Sequence, residues 1–468
     1  MVTRKGDNMY NNKEIVEKTK SLIEFGSGFP AQIDGSGWLD SQGHIDKKRG
    51  IETWITSRMT HSFSLVQLLS DNRRFNADSK LSEQVRNEQI LFFLESGYHG
   101  LVGPLRDVTN GGWYSKIDWD GEVVNEAKEA YAHAFVILGS SSLVLATSGI
   151  NRVKSARLLS CALKIFDKYF WDEKYGMSVD NYPKADWSKK DSYRGINANM
   201  HTVEAFLATY DVLKILAAEN KANNSVYYSV ITDNGKVNQN LYEALGFDLE
   251  EKAYDLLNRV NRIVDRVCFQ AKSHGWRIPE HYKENWEPDL EYNSDNKDDK
   301  FKPYGATVGH GIEWARLITQ FALKLPKKQR EKYFQTAQNL FKVAVDDGWD
   351  KKIGGFIYTT DWEGNPIVKD RMHWVEAEAL NTASTLLQFC ATEDQEKYYT
   401  KWFNLVWKWT KEHLLDETGS WIHQLDENNQ ISETVWPGKP DVYHALQSYL
   451  IPIFSKNFAI ASAIKLDI

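Results

Sequence analysis

Histidine, arginine, asparagine and carboxylate residues recur at helical spacing along this 468-residue chain. Arg58 shares a face with Ile51, Trp54, Ile55, Met59 and Phe63, and a guanidinium within an apolar stripe needs a partner. Tyr131 and His133 follow. Asn197 and His201 are four apart and so lie on one helix face, with Asn199 and Glu204 close by. His310, Glu313, Trp314, Leu317, Phe321 and Leu325 form a stripe that brings His310 and Glu313 to one side. Trp374, Glu376 and Glu378 open another segment, and Asp441 and His444 open the last.

Imidazole titrates near neutral pH, so a histidine pair can take and return a proton, and a glutamate three residues away can fix the tautomer. Arginine and asparagine hold hydroxyls and stabilise an oxygen that turns negative as an enediolate forms. The inventory suits proton transfer next to a carbonyl. It does not suit phosphoryl or acyl transfer, since the sequence has neither a Walker glycine loop nor a Gly-x-Ser-x-Gly elbow. Glu313 and Glu378 keep paired-carboxylate glycoside hydrolysis open. His310 with Glu313 likewise leaves open a ligand pair for a metal-assisted hydride shift. Glu204 also reads as a plain partner for His201, and Glu376 as the member of its trio that faces away.

Periodicity places twelve helices near 12–26, 51–71, 82–99, 127–148, 150–169, 197–218, 251–271, 308–325, 327–346, 374–391, 395–413 and 440–453. Asn151 reads as the cap of the fifth, and Pro440 as the first residue of the twelfth. The polar groups fall on the even-numbered helices, near their N-terminal halves. Six helices turning polar groups inward and six covering them predict an all-α fold: an (α/α)6 barrel, one domain over 1–468, with a polar pocket at its mouth. Gly111-Gly112-Trp113-Tyr114 leads into Asp118-Trp119-Asp120-Gly121, and Gly354-Gly355-Phe356-Ile357-Tyr358 into Asp361-Trp362-Glu363-Gly364. A third copy, Gly419-Ser420-Trp421-Ile422, precedes Asp426 and Asn428-Asn429. These read as short β-hairpins at one end of the molecule. An insertion at about 219–247, with Val226–Thr232 before Asn234-Gly235, reads as a protruding hairpin.

A net charge of -7 with the two signs interspersed leaves no basic stripe for nucleic acid. The start, Met1 to Asn8, lacks the apolar core of a secretion signal, and no apolar run is long enough to span a bilayer. A cytoplasmic location without membrane partners is therefore expected. Cys161, Cys268 and Cys390 are too scattered for a disulfide framework or a zinc site and read as small core residues. The 17 Trp, 22 Tyr and 21 Phe serve a large core first, although such rings also stack on sugars.

Thr53–Met59, Gly111–Tyr114, Asn197–Leu207, Gly309–Trp314 and Asp441–His444 resemble the N-acylglucosamine 2-epimerase superfamily, within it the branch of bacterial mannose isomerases and sulfoquinovose isomerases. The resemblance extends over nearly the whole chain. It implies an (α/α)6 barrel that interconverts an aldose and a ketose, D-mannose and D-fructose or D-lyxose and D-xylulose, through a cis-enediol. Epimerisation of a free sugar at C2 is the alternative. It implies His310 and His444 as the acid/base pair, with Glu313 supporting His310 and His444 removing the C2 proton. Arg58, Tyr131, Asn197, His201, Trp374 and Glu378 are implied to line the sugar site, and His133 joins them as a candidate contact from the fourth helix. No metal or other cofactor is expected. The partner is a free monosaccharide, and the chain is expected as a monomer or small homo-oligomer. The sulfonate-binding positions of the branch align with Lys300, His423 and Pro440, a loss of donors that argues against a sulfonated sugar.

Overall fold

A computed structural model describes residues 12–70, 72, 88–222, 227–232 and 235–467. The N-terminal stretch Met1 to Asn8, residues 82–87 at the start of the expected third helix, and Val226 and Asn234 of the expected hairpin lie outside them. The main helices are α1 (Asn12–Gly26), α2 (Thr53–Ser70), α3 (Glu88–Val102), α4 (Ala130–Ala146), α5 (Gly149–Ile165), α6 (Ile196–Lys221), α7 (Leu249–Ser273), α8 (Val308–Lys324), α9 (Lys327–Gly348), α10 (His373–Phe389), α11 (Glu393–His413) and α12 (Tyr443–Leu450). Helices α2, α4, α6, α8, α10 and α12 pack in that order and α12 closes back on α2. Each odd-numbered helix packs outside this ring, α3 on α2, α5 on α4, α7 on α6, α9 on α8, α11 on α10 and α1 on α12. The result is an (α/α)6 barrel.

Sequence explains which helices lie inside. α4 buries every residue except Tyr131 and Ala146, as a helix apolar all round must. Ser140 and Ser142 fold their hydroxyls back onto their own helix, Ser140 Oγ donating to the Val136 carbonyl at 2.7 Å, and Ser141 pairs with Thr209 of α6 at 2.9 Å, which offsets the cost of burying them. α7 instead buries Leu256, Val260, Ile263, Val264 and Val267 at three- and four-residue spacing and leaves its charges outside. Two expected boundaries shift. α5 begins at Gly149, so Asn151 sits within its first turn and caps nothing. α12 begins at Tyr443, three residues past Pro440, and it is Asp441 Oδ1 that accepts the Tyr443 N–H at 2.9 Å.

A belt of two-residue strands joins the inner helices at their N-termini. Residues 51–52, 128–129, 194–195, 306–307 and 371–372 each run directly into an inner helix, and each pairs antiparallel with a strand from the loop that follows: 116–117, 181–182, 281–282, 359–360 and 424–425. The first residue of each of those helices then donates its N–H to one carbonyl across the belt. Thr53 reaches Ser115, Ala130 reaches Asp180, Ile196 reaches Glu280, Val308 reaches Tyr358 and His373 reaches His423, all at 2.8–3.1 Å. Helix N-termini leave N–H groups without intrahelical partners, and here the belt satisfies one at five of the six inner helices.

The recurring glycine loops feed this belt. Gly111, Gly112, Gly354, Gly355 and Gly419 all have positive φ, and a Cβ on Gly112 would come within 2.9 Å of His133 Nε2. In the degenerate third copy Asn429 takes the left-handed turn position (φ 61) that Gly121 and Gly364 occupy in the others. The strands Tyr227–Thr232 and Gly235–Asn240 pair antiparallel, Thr232 with Gly235 through Tyr227 with Asn240. All three cysteines are free; Cys390 is buried, whereas Cys161 and Cys268 are half-buried rather than in the core. Among the described residues no helix is long and apolar enough to cross a membrane.

Candidate active site

The first turns of the inner helices converge below the belt. Their second residues are Trp54, Tyr131, Asn197, Gly309, Trp374 and His444, and the sixth residues of α2, α6, α8 and α10 are Arg58, His201, Glu313 and Glu378. Positions four apart share a helix face, so each helix turns a two-residue edge to the barrel axis. Gly309 is the exception that makes room: a Cβ there would lie 2.3 Å from the Trp374 ring. Trp374 thus lies beside both key imidazoles, its ring centroid 5.2 Å from that of His310 and 5.9 Å from that of His444.

Most of these groups line one concave cavity, the form that small-molecule sites take. Arg58, Tyr131, Asn197, His201, His310, Glu313, Trp374 and His444 all face it. So do Lys300, His423 and Pro440. Buried polar atoms without a protein partner cluster on its walls, namely Asn197 Oδ1, Glu280 Oε1, Thr307 Oγ1, Glu313 Oε2 and His373 Nε2. Such atoms are costly unless something satisfies them, and a polyhydroxylated guest has both the donors and the acceptors to do so.

Each of these two imidazoles is held from behind by a carboxylate. His444 Nδ1 lies 3.1 Å from Glu378 Oε1, and His310 Nδ1 lies 2.8 Å from Glu280 Oε2. The second pairing corrects an expectation: Glu313 does not support His310. Its carboxyl sits beneath the cavity, accepting from Arg316 Nη2 at 3.2 Å. Glu378 is corrected too, because it does not line the cavity but stands behind His444, with Arg316 Nε donating to its Oε2 at 2.8 Å. Arg316 is the hub of this floor, and Glu204 lies 3.7 Å from it while also bonding His201 Nδ1 at 3.1 Å.

The electrostatics follow from that hub. Burial pushes Glu378 upward, but Arg316 and His444 outweigh it and hold the carboxyl below its ordinary value. Glu204 is likewise held low against burial by His201 and Arg316. Glu313 is driven well above the usual range by burial and by the charge of Glu378, so it carries the proton of the group. Ligand atoms of His201, Glu204 and Glu313 lie within 4.8 Å of one another, a spacing that suits a cation; the Arg316 guanidinium already supplies positive charge to both glutamates. Above the floor, Arg58 Nη1 donates to Asp441 Oδ2 at 2.9 Å and Nη2 to the Tyr131 hydroxyl at 2.8 Å.

His133 is the remaining correction. It lies outside the cavity, its Nδ1 against the Glu129 carbonyl at 2.7 Å and its Nε2 accepting the Trp113 N–H at 3.2 Å. Glu376 does the same work six helices on, accepting the Phe356 N–H at 2.8 Å. Both are the fourth residue of an inner helix, and both pin a glycine loop to the barrel. Burial keeps each neutral, lowering His133 to about 3 and raising Glu376 to about 8. Glu376 thus faces away from the cavity, yet it is fully buried.

Sequence reading missed Glu280, Tyr358 and His373 as cavity residues. Glu280, Tyr358 and His423 are three of the five residues whose carbonyls close the belt. In the glycine loops the belt residue falls two past the aromatic, Trp113 to Ser115, Phe356 to Tyr358 and Trp421 to His423. That register was the available signal. His373 stacks on His423 with ring centroids 3.8 Å apart, and burial lowers His373 to about 3 and His423 well below its ordinary value.

An (α/α)6 barrel with two carboxylate-backed imidazoles in one polar cavity defines a class of barrels equipped for acid/base chemistry. Within that class the chain belongs to the N-acylglucosamine 2-epimerase (GlcNAc 2-epimerase) family, whose profile matches residues 35–226 and 241–448 and passes over the strands between. It is 32% identical over 450 residues to the D-mannose isomerase of Thermobifida fusca, covering 96% of this chain and 95% of the relative. A crystal structure of D-mannose isomerase superposes with a TM-score of 0.72 at 23% identity, over 94% of this chain and 97% of that one. The cellobiose 2-epimerase of Bacillus thermoamylovorans B4167 superposes at 0.68 and 16% identity, over 94% and 99%. The two solved structures share the fold. Family and relatives make the chain a sugar isomerase or epimerase.

Proposed function

We propose that the chain is an aldose-ketose isomerase that interconverts free D-mannose and D-fructose without a metal, His444 and His310 exchanging protons with the open-chain sugar. One observation carries the reading: two imidazoles from distant parts of the chain meet in one cavity, each with Nδ1 held by a buried carboxylate. With Glu378 ionised and accepting the Nδ1 proton, His444 presents the lone pair of Nε2 to the substrate. That nitrogen takes the C2 proton, and the C–H electrons become the C1–C2 double bond as O1 gains a proton from His310. His310 then removes the O2 proton, the carbonyl forms at C2, and His444 delivers its proton to C1 on the same face. Arg58 and Asn197 hold hydroxyls during the transfer, and Tyr131, His201 and Trp374 shape the wall. Return of the proton to the opposite face of C2 would give epimerisation instead. The extended similarity to D-mannose isomerase favours isomerisation.

Incubation with mannose in deuterated water tests this. Fructose carrying deuterium at C1 is the expected product; glucose labelled at C2 would make the protein an epimerase, and no incorporation would remove proton transfer through solvent-exchanging groups. The same assay after exhaustive chelation is expected to run at full rate, and loss that manganese restores would overturn the metal-free route.

Glu280 acts here as a positioning residue. Replacing it with glutamine takes the carboxylate from behind His310 Nδ1, so kcat is expected to fall about tenfold while KM for mannose stays near that of the parent. An unchanged kcat would leave Glu280 with a structural part only.

A further inference from the structure

Tyr193 stands directly before the strand 194–195, whose pairing with 281–282 sets His281 across from Gly195. Tyr193 and His281 both line the reaction cavity, and neither has a part in the proton transfer described above. Tyr193 Oη lies 2.8 Å from His281 Nδ1, and His281 Nε2 lies 2.8 Å from the Pro303 carbonyl oxygen. Gly195 makes room for the hydroxyl, since a Cβ there would come within 2.7 Å of it.

This short chain of hydrogen bonds has a direction. A carbonyl oxygen only accepts, so Nε2 carries the imidazole proton and donates it to Pro303. Burial holds His281 below its ordinary value, which keeps the ring neutral and leaves Nδ1 as a bare lone pair. The Tyr193 hydroxyl must donate to that lone pair. Its one proton is thereby spent away from the cavity, and its oxygen is left as an acceptor. Burial also raises the Tyr193 hydroxyl well above its ordinary value, so the proton stays in place. Lys302 Nζ sits over the face of the ring, 3.7 Å from its centroid, and does not bond the oxygen.

Tyr131, on the same cavity, has the opposite polarity. Arg58 Nη2 already donates to its oxygen at 2.8 Å, and burial pushes its hydroxyl up to about 12. Its O–H is therefore left to donate. One phenol that gives and one that only takes suit a guest whose hydroxyls do both, whereas an ether oxygen or a halogen meets no donor at Tyr193.

We propose that Tyr193 is a specificity-determining residue of the reaction cavity: locked by His281 as an acceptor, it demands a donating hydroxyl on C3, C4 or C6 of the bound sugar. O1 and O2 are engaged by His310 in the proposed transfer, so the demand falls on the rest of the molecule. The inference rests on that carbohydrate reading and adds which substituents the substrate must keep.

Fluorine tests it, because a C–F group accepts weakly and cannot donate. The His444→Ala protein is titrated calorimetrically with D-mannose, with deoxymannoses lacking the hydroxyl on C3, C4 or C6, and with the matching deoxyfluoro sugars. At one of these positions the deoxy and deoxyfluoro sugars are both expected to bind about tenfold more weakly than mannose. Tyr193→Phe in the same protein should weaken mannose about tenfold and leave that deoxy sugar within about twofold of its former affinity, which also reports an intact fold. The assignment fails if every deoxyfluoro sugar binds as tightly as mannose. It fails equally if Tyr193→Phe leaves mannose unchanged or weakens mannose and all the deoxy sugars alike. A protein that binds no mannose overturns the carbohydrate reading itself. Binding without conversion by the unaltered protein overturns only the isomerase reading and leaves Tyr193 in its place.

Discussion

His444→Ala is expected to lower kcat for mannose by about a thousandfold or more, with His310→Ala close behind, while unfolding midpoints of both proteins stay near that of the parent. The reasoning is geometric. Each imidazole edge lies on the cavity, and the groups behind it, Glu378 and Glu280, keep their own place through Arg316 and through the paired strand that Glu280 directly precedes. Truncation therefore removes the proton carrier and leaves its support. His444→Ala should also abolish deuterium uptake into recovered mannose, since no base remains to draw the C2 proton. Near-normal turnover in either variant would take that residue out of the mechanism.

Arg316→Met should cost about 3–5 kcal/mol of stability, the penalty for breaking a buried ionic group from one side. Arg316 is fully enclosed, and Glu204, Glu313 and Glu378 gather around its guanidinium. Without it Glu204 and Glu378 face each other through a low-dielectric floor, and at least one must take up a proton. The effect on catalysis follows from the same loss. A protonated Glu378 no longer prefers the Nδ1 proton of His444, so kcat should fall even in the fraction that remains folded. Arg316→Lys restores charge but not the two-pronged geometry and should fall between. Denaturant unfolding measures the first effect; a Met variant as stable as the parent would refute the hub assigned to this arginine.

The barrel was legible because its two layers differ in pattern. α7 repeats apolar residues every three or four positions, and α4 is apolar throughout, so inside and outside could be told apart before any contact was known. The alternation of polar residues on even helices then pointed to one cavity. What sequence could not show was which polar residue faced it. His133 and Tyr131 are two apart on one helix, about 200° around its axis, yet only Tyr131 reaches the cavity while His133 turns outward to Trp113. Glu280 was invisible for another reason. It lies in a loop, where no helical period applies, and its place is fixed by strand pairing with residues 194–195. Glu313 was misplaced through local reasoning: three residues from His310 in sequence, it is drawn instead to Arg316, three residues further along the same helix.

The strand belt carries one more consequence. Its closure is made by main-chain atoms at Ser115, Asp180, Glu280, Tyr358 and His423. Since the closure asks of these sites only a peptide group, their side chains are left for other tasks: Glu280 holds His310 and Asp180 the Gly195 N–H. Tyr358 and His423, which face the cavity, are the rim positions where exchange can retune which guests are admitted without touching His310, His444 or the carboxylates behind them.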